Sequence, residues 1–140
     1  MKLLNYISYF TLLLTFGVLV VVGYWLIHPY QPIVFNKLPF KVDKKVIKAG
    51  EELTYNIDYC KHNSIIPNIT RYFVDEIVYL LPPVTALAKN SGCHTNKILV
   101  SIPPTLPPST YYLKLNYRYQ VNPIRTIDVI AETEKFEVIK

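Results

Sequence analysis

The chain has 140 residues, 51% of them apolar, with 12 tyrosines and a formal net charge of +5. That suffices for one ordinary domain with a sizeable core plus an appendage. The charge does not mark a nucleic-acid binder. Lys37, Lys41, Lys44, Lys45 and Lys48 hold most of it, residues 49–140 carry nine basic and nine acidic side chains, and no second basic cluster or basic–aromatic interleaving accompanies the strip.

Residues 1–5 read as a short tail. Tyr6 to Ile27 is a charge-free run of 22 residues rich in Leu, Val and Ile. As a helix it is about 33 Å long, enough to cross a hydrocarbon core. Tyr6 and Tyr9 at one end, and Tyr24 and Trp25 at the other, sit where interfacial aromatic belts fall. A cleaved signal peptide is the rival, with Gly23 as the small residue at a cut. The length of the run and its single preceding lysine, Lys2, favour an uncleaved signal anchor that holds residues 6–27 in a lipid bilayer. So short a tail places the amino terminus in the cytoplasm and the C-terminal domain in the periplasm or outside the cell. The lysines downstream are a counter-signal, softened because they begin ten residues past Ile27.

Residues 28–39 contain three prolines and read as a semi-extended spacer. The basic strip from Lys37 to Lys48 has two readings: a juxtamembrane patch for anionic headgroups, or an edge strand that its lysines protect from pairing with other chains. Phe40–Lys48 is the first expected strand, and Ala49-Gly50-Glu51 the turn after it. Glu52 to Tyr59 alternates, with Leu53, Tyr55, Ile57 and Tyr59 inward. Ile69–Leu81 fits a helix face as well, but its β-branched and aromatic content favours strand. Asp75-Glu76 reads as a bulge or a turn dividing two short strands, and Pro82-Pro83 as their end. Val84–Ala88 is a brief edge strand, Asn90-Ser91-Gly92 a loop, and Ile98, Val100 and Ile102 form one face of the next strand.

The last third carries the clearest pattern. Tyr111, Leu113, Leu115, Tyr117, Tyr119 and Val121 alternate with Tyr112, Lys114, Asn116, Arg118 and Gln120, a period of two that rules out an amphipathic helix. Asn122-Pro123 is the turn, since proline cannot donate to a ladder. Ile127, Val129 and Ala131 begin the return strand, Phe136 and Val138 resume it, and the phase slip between them predicts a bulge at Thr133–Lys135.

Leu106-Pro107-Pro108-Ser109-Thr110-Tyr111-Tyr112-Leu113 resembles the Leu-Pro-Pro-Gly-x-Tyr-x-Leu entry to the penultimate strand of many bacterial or phage-type immunoglobulin-like domains. The resemblance covers about the last forty residues well and the rest in pattern. It implies an all-β fold over residues 40–140, an antiparallel immunoglobulin-like β-sandwich of about seven strands, which the apolar run at 6–27 precedes as one transmembrane helix. It also implies that Tyr111 is the tyrosine of the corner, its hydroxyl returning to nearby backbone. About function the motif is nearly silent.

Cys60 and Cys93 are the only cysteines. In an exported domain they are expected to form one disulfide, closing a loop of about 34 residues. With Cys60 in the outward phase and Cys93 in a loop, the bridge should pin the loops at one end of the body. The alternative is a tetrahedral zinc or copper site from Cys60, His62, Cys93 and His94. No cofactor is implied otherwise. The four glycines form neither a phosphate loop nor a dinucleotide fingerprint, and HExxH and GxSxG are missing from the chain, so an enzyme is not expected. What remains is a binding or structural module at a cell envelope with a protein or glycan partner, or, with Thr11 and Thr15 as a weak helix-association pair, a small accessory subunit of a membrane complex.

Overall fold

The computed structural model of the chain describes residues 2–84 and 90–140. It is mostly β, with one N-terminal helix, α1 (Lys2–Ile27), followed by nine strand segments among the described residues. The helix starts at Lys2, so residues 2–5, read as a tail, join its first turn. Leucines and valines without an interrupting proline propagate it, and it ends at Ile27, before Pro29. No part of its most apolar window is covered by the rest of the protein.

The smaller sheet has the order β1–β3–β6, from β1 (Ile33–Phe35), β3 (Glu52–Lys61) and β6 (Gly92–Ser101). The larger sheet runs β2–β9–β7–β4–β5, from β2 (Val46–Lys48), β9 (Phe136–Ile139), β7 (Ser109–Asn122), β4 (Asn68–Val74) and β5 (Val78–Val84). The strand β8 (Arg125–Glu132) also pairs with β7. All pairings are antiparallel except β2 with β9, which is parallel.

One hydrophobic core takes the inward phase of both sheets: Leu53, Tyr55, Ile57 and Tyr59 from β3, and Tyr111, Leu113, Leu115, Tyr117 and Tyr119 from β7. Those side chains are the ones that the period-two pattern directs to one face. Phe73 meets Phe136 and Tyr111 edge-on at 5.9 and 6.4 Å, the offset geometry that aromatic quadrupoles favour.

The return strand breaks where the phase slips. Thr133 replaces a ladder position with its side chain: its Oγ1 accepts from Leu113 N at 2.9 Å, and its own N donates to Leu113 O at 3.0 Å. β8 and β9 are thus two halves of one edge, which partly accounts for nine segments where about seven strands are expected. The first strand is also split. Residues 33–35 pair with β3 in the smaller sheet and residues 46–48 with β9 in the larger, so the chain crosses between sheets over the stretch expected to be one strand, 40–48.

Three further readings are corrected. Residues 28–39 are not a free spacer, because Ile33–Phe35 pairs with Tyr59–Lys61 and Phe35 packs on Tyr117 with ring centroids 5.2 Å apart. Pro82-Pro83 does not end a strand but lies inside β5. An edge strand tolerates two missing donors, and the register shifts there between Ile69 and Arg71. Cys93 is in β6 rather than a loop, since pairing with β3 extends the strand through a polar stretch that has no apolar signal. Of the expected edge strand Val84–Ala88, Val84 closes β5 and residues 85–88 lie outside the described residues.

Candidate functional site at the helix-proximal end

Register decides which chain segments share an end of the body. β3 finishes at Lys61 opposite Gly92, the start of β6, and opposite Ile33 of β1. β4 starts at Asn68 opposite Arg118, and β7 runs on from there to the Asn122–Arg125 turn. The end of α1, the disulfide, the 62–67 loop and the β7–β8 turn therefore gather at one end. The turns at Gly50 and at Pro103–Pro108 lie at the other.

At the near end Cys60 and Cys93 are register partners bonded sulfur to sulfur, with Cα atoms 3.9 Å apart. That is closer than the about 4.5 Å at which facing cross-strand residues ordinarily come nearest. The bridge joins two strands of one sheet. Gly92 precedes it with φ of 126°, a conformation open to glycine at no steric cost. The bond takes both sulfurs from the alternative metal set. Of its other members, His94 lies over Tyr59 with centroids 5.6 Å apart, its Nε2 being 3.3 Å from the Asn90 carbonyl. His62 uses its backbone N to donate to Pro32 O at 3.1 Å. Among the described residues, no three His, Cys, Asp or Glu side chains are grouped to hold a metal.

Two side chains from the β7–β8 turn reach the end of the helix. Asn122 Nδ2 donates to Trp25 O at 3.1 Å, and Arg125 Nη1 donates to His28 O at 2.7 Å. The last carbonyls of a helix lack partners within it, and a guanidinium there also complements the negative end of the helix dipole. Tyr24 stacks on His28 at 4.8 Å, and Asn63 Nδ2 donates to Tyr30 Oη. Tyr24, Trp25, His28, Tyr30, Val121 and Arg125 enclose a small cleft of about 270 Å³. Tyr6 and Tyr9, at the other end of the helix, are exposed. Sequence reasoning sees Asn122 as a turn residue but gives no sign of its contact with Trp25, 97 positions away.

The basic strip is not beside the helix. Lys41 O accepts from Asn56, Asp43 N donates to Thr54 O, and Lys48 pairs with Ile139. From Lys61 to Thr54 the strand rises about 23 Å, so Lys44, Lys45 and Lys48 stand far up the body and only Lys37 approaches the near end. The register corrects the juxtamembrane placement. β2, which ends in Lys48, is an edge of the larger sheet.

At the far end the Tyr111 hydroxyl donates to Pro107 O at 2.9 Å. Burial, then the nearby Tyr79 and Asp75, push its ionisation upward. Burial likewise raises Tyr55, Tyr117 and Tyr119 above the ordinary phenol range and lowers the buried Lys61. The outer face of the larger sheet shows Val78, Leu80 and Ile130 to solvent. A shallow groove of about 610 Å³ opens beside the β8–β9 break, lined by Leu38, Tyr112, Ile130, Glu132 and Lys135.

No protein-family model and no curated protein match the chain. Solved structures that resemble it include a Niemann-Pick type C2 protein from the Japanese carpenter ant, 11% identical over 72% of this chain and 99% of that one, with a TM-score of 0.42. An alkylpurine DNA glycosylase of Pseudomonas fluorescens, bound to DNA with an abasic-site analogue, matches at 12% identity and TM-score 0.44, over 87% of this chain but 33% of its own. The CARDB domain of a Pyrococcus furiosus protein in complex with di-metal ions matches at 9% identity and TM-score 0.41, over 79% of this chain and 95% of that one. At these scores no role passes to this chain.

Proposed function

We propose that the chain is a single-pass, membrane-anchored module whose immunoglobulin-like β-sandwich stands on the oxidising side of an envelope membrane and acts in binding or structure, not catalysis. The observation that carries the reading is the pairing of a helix whose 22-residue apolar stretch is uncovered over its most apolar window with a disulfide-bonded β body. A helix with no protein over its apolar side chains calls for lipid, and a disulfide persists in oxidising compartments. The sandwich assignment draws on two sheets around one core, on the parallel pairing of an early strand with the last, and on the Tyr111–Pro107 bond beside a Leu-Pro-Pro entry. Exposed apolar side chains on the larger sheet suit a protein partner.

Topology mapping tests this. Membrane-impermeant alkylation of intact cells, after reduction, should label Cys60 and Cys93, and without reduction should label neither. Free thiols reachable only after lysis would place the body in the cytosol and end the proposal. The second reading, a small subunit of a membrane complex, draws on one face of the helix where Ser8, Thr11 and Thr15 flank Leu12 and Phe16. It requires a partner that co-purifies in mild detergent and is lost with Thr11→Leu/Thr15→Leu.

A further inference from the structure

We propose that the β7–β8 turn, Asn122–Arg125, is a lipid-headgroup contact, so that the body stands on the bilayer on this hairpin as well as on its helix. The inference rests on the anchor reading above and adds to it a second, non-helical point of membrane contact.

The geometry leaves the turn little freedom in depth. Asn122 and Arg125 bond the carbonyls of Trp25 and His28, and on the anchor reading Tyr6–Ile27, the stretch long and apolar enough to cross a membrane, is the one that spans. A side chain touching residue 25 is within a few ångströms of the level where that stretch leaves the hydrocarbon. The chemistry agrees with the depth. Ile124, at the tip, is 52% exposed beside Pro123, an apolar side chain at the height where headgroups meet the first acyl methylenes. Arg125 supplies a cation at headgroup height, and Tyr24, Trp25 and Tyr30 add amphipathic rings around it, the residue types that favour this layer. The long lysines, in contrast, are carried up the body. The bilayer is therefore met by one arginine and an isoleucine tip, while Lys41, Lys44, Lys45 and Lys48 stand up the body.

The test uses the full chain reconstituted in phosphatidylcholine–phosphatidylglycerol vesicles. Its own cysteines are bridged, so a spin label can be placed at Ile124→Cys, at Lys48→Cys on the far end and at Val18→Cys in mid-helix. The expected result at 124 is a several-fold lower collision rate with an aqueous nickel chelate than at 48, together with strong broadening by a lipid that carries nickel on its headgroup. Equal aqueous access at 124 and 48, with the label at 18 still in lipid, overturns the headgroup contact and leaves the anchor standing. Low access at 124 without headgroup broadening also overturns it, since the tip would then be shielded by protein. A label at 18 that is open to water brings down the anchor itself, and this inference with it.

Discussion

At the helix-proximal end, residues far apart in sequence are tied to one another and to the appendage: Cys60 to Cys93, Tyr30 to Asn63, Trp25 to Asn122 and His28 to Arg125. The far end has no covalent tie among the described residues and closes on itself. Gly50 and Glu51 exchange backbone bonds with Ile102, Ser109 bonds Asp75, and Tyr111 bonds Pro107 four residues earlier. The contrast teaches where each end takes its order from. Turn chemistry and sheet pairing close the far end, whereas the near end needs an oxidised pair of sulfurs and the last turn of a helix.

The strongest way to break that contrast is to remove the bridge. Cys60→Ala/Cys93→Ala should cost about 3–4 kcal/mol in urea unfolding by the loop-entropy argument. Amide exchange should rise most in Asp58–Lys61 and Gly92–Asn96 and least around Tyr111. Equal loss of protection at both ends would show that the bridge holds the body as a whole.

Alkali should act next. Tyr55, Tyr117 and Tyr119 are buried with ionisation raised by that burial. The unfolded chain releases these protons near pH 10 and the folded one holds them, so stability is full below that pH and falls as pH rises above it, by about 1.4 kcal/mol per pH unit for each fully buried group. Lys61 runs the other way. Its lowered value makes the folded state gain stability as pH rises toward the ordinary lysine range. Three phenols against one amine give a net fall above pH 10, to be followed by urea midpoints with the phenolate absorbance band. A midpoint that holds level from pH 9 to 11 would contradict it.

At the far end, Tyr111→Phe removes one bond to Pro107 and leaves the ring in place, for a loss of about 1 kcal/mol. Asn122→Ala should have the smallest effect, about 0.5–1 kcal/mol. It frees the Trp25 carbonyl and the Ile124 N–H within the turn, and because Trp25 is the sole tryptophan, its emission in vesicles reports any loosening of the helix end. If Tyr111→Phe shifted that emission as much as Asn122→Ala does, the two ends would be coupled rather than separately tied.

What could be read in advance follows from which signals are local. Alternation along Leu53–Tyr59 and Tyr111–Val121 exposes the core because a strand's two faces are written in consecutive residues. The phase slip after Ala131 likewise announces the break that Thr133 fills. The cysteine pair is legible from the count alone, two in the chain, set on strands that bring them opposite each other. The strands at Ile33–Phe35 and Gly92–Asn96 have no such local mark. Three apolar residues among prolines, or a polar run after a glycine, become strands because β3 offers them a partner, and only the folded chain contains that information. The placement of the lysine strip fails for the same reason: nearness to a helix in sequence says little once β1 has turned the chain up along β3. The contact from Asn122 to Trp25 depends on every intervening strand and is invisible in either segment alone.

The parallel pairing of β2 with β9 has a consequence for how the molecule is made. Phe136 and Val138 fill the core beside Ile47, and until residue 139 has been synthesised β2 lacks its neighbour and β7 half of one edge. Both cysteines are synthesised more than forty residues before that point, in strands that pair with each other in the finished fold. The sulfur cross-link is thus free to form on a nascent half-body, and its formation early would shorten the search by which the final strand finds its slot.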